Sequence, residues 1–256
     1  MRMKLAALSA MALAGLALAA CDKTNERQLQ GWVEAELIFV SPDEQGRVET
    51  LKVREGDQVK QGELLFTVDD DLQKADLLVR KTTVINAQQN FDRAKELLKT
   101  AAGTQKTYDD AEAALRQAKA NLAWSETRLA RRSAYSPAAG TIEQVYYRVG
   151  ETVPAGRPVV ALLPPQNLKL RFFAPEPILP EIKYGETVAV SCDGCEKGLI
   201  AKVSFIARSA EFTPPVIYSL DERAKLVFLI EARPDHPEKF RVGQPVTVTL
   251  PQEAPK

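Results

Sequence analysis

The chain has 256 residues, with 34 lysines and arginines against 34 aspartates and glutamates, and 45% of it is hydrophobic. That balance specifies a folded chain rather than a disordered one, and it removes nucleic acid as the main partner, because phosphate binding needs a basic face. The single histidine, His236, stands in the turn-like Pro234-Asp235-His236-Pro237 segment and reads as a solvated loop residue.

At the N-terminus, Arg2 and Lys4 precede an apolar run from Leu5 to Leu18, about 14 residues long. A spanning helix needs about 20 residues. Residues 1–20 are therefore expected to be a signal peptide. Leu18-Ala19-Ala20-Cys21 resembles the lipobox of bacterial lipoproteins, which implies a diacylated Cys21 as the first mature residue and a stable lipid anchor. Asp22 is similar to the inner-membrane retention signal of enteric lipoproteins. Residues 21–40 are expected to be a linker from the lipid followed by an N-terminal strand.

A repeat offset by 94 residues follows. The first copy begins at Gly46 and reads GRVETLKVREGDQVKQGELL; the second begins at Gly140 and reads GTIEQVYYRVGETVPAGRPV. Gly46, Gly56 and Gly62 recur as Gly140, Gly150 and Gly156, and Val48, Leu51 and Val59 recur as Ile142, Val145 and Val153. Each copy reads as short strands punctuated by glycine turns. Neither copy has apolar surface enough for its own core, so the two are predicted to close on each other as one β-sandwich.

Residues 70–134 between the copies contain no proline and one glycine, Gly103. Heptads run through Leu77, Val84, Phe91 and Leu98 with Ala87, Ala94 and Ala101, then through Tyr108, Leu115, Leu122 and Leu129 with Ala111 and Ala118. Folding at Gly103 places Leu98 opposite Tyr108, Phe91 opposite Leu115, Val84 opposite Leu122 and Leu77 opposite Leu129, an antiparallel hairpin of about 30 residues per arm, roughly 45 Å long. Asp69, Asp70 and Asp71 suit the first helix start; Arg128, Arg131 and Arg132 suit the second helix end, and Pro137 forbids continuation. Arg80 facing Ser125 predicts a looser base.

From about Asn167 short strands return at Leu168–Phe173, Thr187–Ser191, Lys202–Ile206, Ala224–Ala232 and Val246–Leu250, predicting a small β-barrel. Any further membrane-proximal module would have to be assembled from Leu29–Val40 plus the chain end. Cys192-Asp193-Gly194-Cys195 falls in a turn between strands, where a local disulfide is favoured over redox or metal chemistry.

Paired halves of this kind, with Ser136-Pro137-Ala138-Ala139-Gly140 opening the second, resemble the biotinyl/lipoyl-like domain. Interruption of that domain by a helical hairpin is similar to the HlyD-type periplasmic adaptors, also called membrane fusion proteins. The resemblance implies a mixed α+β, elongated chain: lipoyl-like halves at 41–69 and 136–165, a coiled-coil hairpin at 70–135, a β-barrel at 166–250 and a tail at 251–256. It implies no enzymatic activity and no cofactor. A lipoyl or biotinyl carrier is the alternative, but its modified lysine would sit in a tight turn where about 70 residues stand here. A structural lipoprotein without a pump partner is a third reading.

Family hairpins that dock on TolC-like outer-membrane channels show an arginine, a leucine four residues later and a serine seven beyond that. Arg93, Leu97 and Thr104 stand at those spacings, with threonine for serine, which leaves channel preference open. The resemblance implies that Leu97 inserts between channel helices while Arg93 and Thr104 hydrogen-bond there; Thr104 also reads as a plain N-cap. Ala210–Ser219 looks like the matching stretch of adaptors paired with ABC-type inner-membrane transporters. The resemblance further implies about six subunits, held in the periplasm on the inner membrane by the lipid. No phosphate-cradling loop appears, so the transport energy is expected from the pump.

Overall fold

The computed structural model describes residues 28–212 and 226–251; the expected signal peptide, Cys21, Asp22, most of Ala210–Ser219 and the last five residues lie outside them. The described residues form two units, one of 36–167, the other of 28–35 with 168–251.

The first unit contains the repeat. Its strands are β2 (Ile38–Val40), β3 (Gly46–Leu51), β4 (Gln58–Val59), β5 (Leu64–Val68), β6 (Ser133–Tyr135), β7 (Gly140–Val145), β8 (Thr152–Val153) and β9 (Val160–Leu163). They make two four-stranded sheets in the orders β2-β9-β7-β4 and β6-β5-β3-β8. Each sheet draws on both copies, and equivalent positions make equivalent contacts. Gly46 pairs with Val153 as Val59 pairs with Gly140. The Gly56 amide donates to the Ile142 carbonyl at 2.8 Å, and the Gly150 amide to the Val48 carbonyl at 2.8 Å. One core holds Val48, Val59, Leu65, Phe66 and Val68 against Ile142, Val153, Val159, Val160 and Leu162, each fully or almost fully buried. The halves are thus one folding unit, because separating them would expose the whole interior.

Between β5 and β6 the chain makes two helices, α1 (Asp71–Lys99) and α2 (Gln105–Ala130), packed antiparallel. At 29 and 26 residues they are about 40 Å long. The predicted heptad faces are the ones turned inward: Ala94, Leu115 and Ala118 are buried, and Leu77, Val84, Phe91 and Leu122 partly so. The register differs from the equidistant pairing. Phe91 stacks on Tyr108 with ring centroids 5.3 Å apart rather than meeting Leu115, and the Ser125 hydroxyl donates to Asp76 at 2.9 Å, beside Leu77, which was expected opposite Leu129. Each α1 residue therefore meets an α2 residue about one to two turns nearer the tip.

The turn also differs in detail. The residue in the left-handed region is Ala101, with φ 55°, not Gly103. Amides of Ala102 and Gly103 return to the Leu97 carbonyl at 2.9 and 3.0 Å, closing the end of α1.

The second unit is a closed barrel. Its strands are β1 (Gln28–Ala35), β10 (Leu168–Pro175), β11 (Thr187–Ser191), β12 (Leu199–Ile206), β13 (Glu211–Phe212), β14 (Leu226–Pro234) and β15 (Pro245–Thr249). The order β10-β1-β15-β11-β12-β14 closes by pairing β14 with β10, and β13 adds to β14. The alternation of buried and half-exposed residues along β10 sends Leu168, Leu170, Phe172 and Ala174 inward. Gly31 lets β1 press on β10, since a Cβ there would strike the Arg171 carbonyl and the Phe172 side chain. Leu29–Val40, the stretch from which any further module would have to be assembled, is divided between the two units: β1 is a barrel stave between β10 and β15, and β2 belongs to the sandwich.

Candidate functional site: the hairpin tip and base

At the tip, Arg93 and Leu97 lie four residues apart on one exposed face of α1. Leu97 is 42% exposed, a large apolar side chain left in water beside the turn. It is held there by the closing turn, whose Thr100 hydroxyl and two amides converge on its carbonyl. Gly103 packs closely behind it, with room for a Cβ only 3.1 Å from Leu97 Cβ. Thr104 is the N-cap of α2, accepting from the Thr107 amide at 3.1 Å and sharing a hydrogen bond with the Thr107 hydroxyl at 2.7 Å. Its side chain is exposed, so the cap leaves its methyl open to solvent. The tip thus offers a cation, an apolar knob and a hydroxyl on a hydrogen-bonded turn.

The base holds residues that sequence reasoning did not single out. The loop between β2 and β3 carries Asp43 and Glu44. Aligned on Ser41-Pro42 and Ser136-Pro137, one residue off the 94-residue offset of the glycines, these two stand where the second copy has Ala138 and Ala139; that break in the repeat is the signal that could have found them. Glu44 accepts from Arg128 Nε at 2.8 Å and Nη2 at 3.0 Å, a bidentate pair, and from Gln73 Nε2 of α1 at 3.4 Å. Arg132, almost fully buried, donates through Nη1 to the Glu44 and Gln45 carbonyls at 3.4 and 3.1 Å. Arg131 pairs with Asp43 at 3.1 Å. The hydrogen bond from Arg128, with the positive charges of Arg128 and Arg132, holds the Glu44 carboxyl below the usual glutamate range against the opposing effect of burial. Arg128 also lies 4.7 Å over the Trp124 ring. A cavity of about 290 Å³ opens between this turn and α2.

Cys192 and Cys195 are paired across the turn after β11, Cα atoms 5.3 Å apart, with Gln244 Nε2 at 3.3 Å from each sulfur. His236 is exposed, and its ring Nδ1 lies 3.2 Å from Glu238 in its own loop. Among the described residues no group of three or more histidine, cysteine, aspartate or glutamate side chains is gathered to hold a metal ion, and no described helix is long and apolar enough to cross a membrane.

The family model for the RND MFP barrel-sandwich hybrid domain matches residues 36–163, half of the chain, and those residues are the sandwich with its hairpin. The chain belongs to the membrane fusion protein family. Other comparisons agree. A UPF0194 membrane protein of Acidithiobacillus ferridurans is 25% identical, with 87% of this chain and 86% of that protein aligned. The 36 kDa antigen of Helicobacter pylori is 23% identical over 87% of this chain and 88% of its own length. Among solved structures, a MacA–MexA chimera containing the Pseudomonas aeruginosa MexA α-hairpin has a TM-score of 0.70 at 21% identity, covering 86% of this chain and 78% of its own. The membrane fusion protein Spr0693 of Streptococcus pneumoniae has a TM-score of 0.69 at 17% identity, covering 88% and 100%; both structures speak to the fold. Membrane fusion proteins are non-enzymatic periplasmic adaptors of tripartite efflux systems, working with inner-membrane transporters and outer-membrane channels.

Proposed function

We propose that this membrane fusion protein is the periplasmic adaptor of an export system that links an ABC-type inner-membrane transporter to a TolC-like outer-membrane channel. The observation that carries the reading is the exposed Leu97 beside a hydrogen-bonded turn at the end of a hairpin about 40 Å long. In this reading Leu97 enters a groove between channel helices, Arg93 pairs with carbonyls or carboxylates at its rim, and Thr104 adds a hydrogen bond while capping α2. A lipid on Cys21 holds the chain to the inner membrane, and about six copies form the ring. The ABC partner is supported by the character of the Ala210–Ser219 stretch.

The test is L97D, assayed for export and for crosslinking to the channel. Both are expected to be lost while the helical signal is kept; export at the parental level overturns the docking assignment. An intact mass showing lipoate or biotin on a lysine would instead favour a carrier.

A further inference from the structure

The hairpin leaves and rejoins the sandwich at one place. β5 and β6 are paired neighbours, with Thr67 opposite Ser133, and the Val68 amide donates to the Arg132 carbonyl at 2.9 Å just before the chain parts into the two helices. Two connections laced side by side define a line, and a rod attached only along a line can swing about it. A third attachment off that line is needed to fix its direction.

The Asp43–Glu44 turn supplies it. This turn is reached from β2 and is not part of either connection. It grips both helices at once: α1 through Gln73, and α2 with its C-terminal extension through Arg128, Arg131 and Arg132. Within the grip the Arg128–Glu44 and Arg131–Asp43 pairs keep access to water, their side chains being 34% and 40% and 63% and 57% exposed, while Gln73 and Arg132 are almost fully buried. The two exposed pairs can therefore open without dismantling a core, and the cavity of about 290 Å³ beside them leaves α2 room to move.

We propose that the Asp43–Glu44 turn is a releasable brace. Engaged, it sets the direction in which the sandwich presents the hairpin tip; released, the hairpin swings about the line of the two strand-to-helix connections. The mechanical property stands by itself; its use in coupling a pump to a channel rests on the adaptor reading.

The test is a distance measurement by pulsed electron resonance on the full chain, with spin labels carried on p-acetylphenylalanine at Asn90 and Val149, both exposed. The parent is expected to give one narrow distribution. E44A and R128M are expected to at least double its width with helical circular dichroism unchanged, while D193N, a carboxylate of the barrel unit, leaves it narrow. If E44A lowers the helical signal, E44Q, which keeps the shape without the charge, decides in its place. A width in these variants equal to the parent's overturns the brace. A widened distribution with parental export supports the brace and overturns its part in coupling, whereas parental export by L97D overturns the adaptor docking and leaves the brace standing.

Discussion

Val59 lies opposite Gly140 in the ladder between β4 and β7, and their repeat mates Val153 and Gly46 lie opposite each other between β8 and β3. The two ladders are equivalent in backbone but not in room. A Cβ on Gly140 would come within 2.5 Å of the Leu163 carbonyl oxygen, whereas one on Gly46 would meet the Val68 side chain and the Arg132 guanidinium at 3.1 Å.

G140A is therefore expected to destabilise the sandwich by about 1–3 kcal/mol, because the obstacle is backbone. G46A is expected to cost clearly less, because both obstacles are side-chain atoms. Denaturant unfolding of the two variants checks this; equal losses would refute the close-approach argument.

A101G is expected to stabilise the hairpin. An L-residue in the left-handed region costs about 1–2 kcal/mol, and glycine removes that while adding about 0.4–1 kcal/mol of unfolded-chain entropy to be lost. The net gain of about 0.5–1 kcal/mol should appear as a higher melting temperature. G103A is expected to do the opposite, since its Cβ would crowd Leu97.

Asp76 should report on the base of the seam through its titration. The Ser125 hydroxyl, aided by the Arg80 charge and against some desolvation, holds its carboxyl below the usual aspartate range. The group is lowered in the folded chain, so its contribution is present above the unfolded value and is lost as pH falls through the folded one. In S125A the Asp76 titration, followed by NMR, is expected to move up toward the ordinary range; an unmoved midpoint would exclude the hydroxyl as the main cause.

Cys192 and Cys195 should show no titratable thiol in the folded protein purified without reductant, and two after reduction. Thiol counting with the C21S chain isolates the pair. Gln244 donates to both sulfurs from the turn before β15, and Q244A is expected to leave the count unaltered.

The repeat is legible in the amino-acid order because its glycines answer a backbone requirement: Gly56 and Gly150 hold φ of 90° and 94°, which side chains resist. The helices are equally legible from their heptads, whereas Arg93, Leu97 and Thr104 are singled out through the family resemblance, and the structure places them at the hairpin tip. The register of the seam is not, since a heptad specifies which face turns inward but not how far one helix slides along the other. Nor is the place of β1, whose partners Leu168–Phe172 lie far along the chain. Arg128, Arg131 and Arg132 had a sufficient local explanation as charges at a helix end, which concealed their engagement with Asp43 and Glu44.

The excursion from β5 to β6 begins and ends at neighbouring points, so its length is independent of how the sandwich closes. Whole turns can be inserted into or deleted from both arms together without altering any strand pairing. Evolution can accordingly retune the gap such a protein spans by indels confined to one stretch of gene, and a laboratory can exchange that stretch as a cassette.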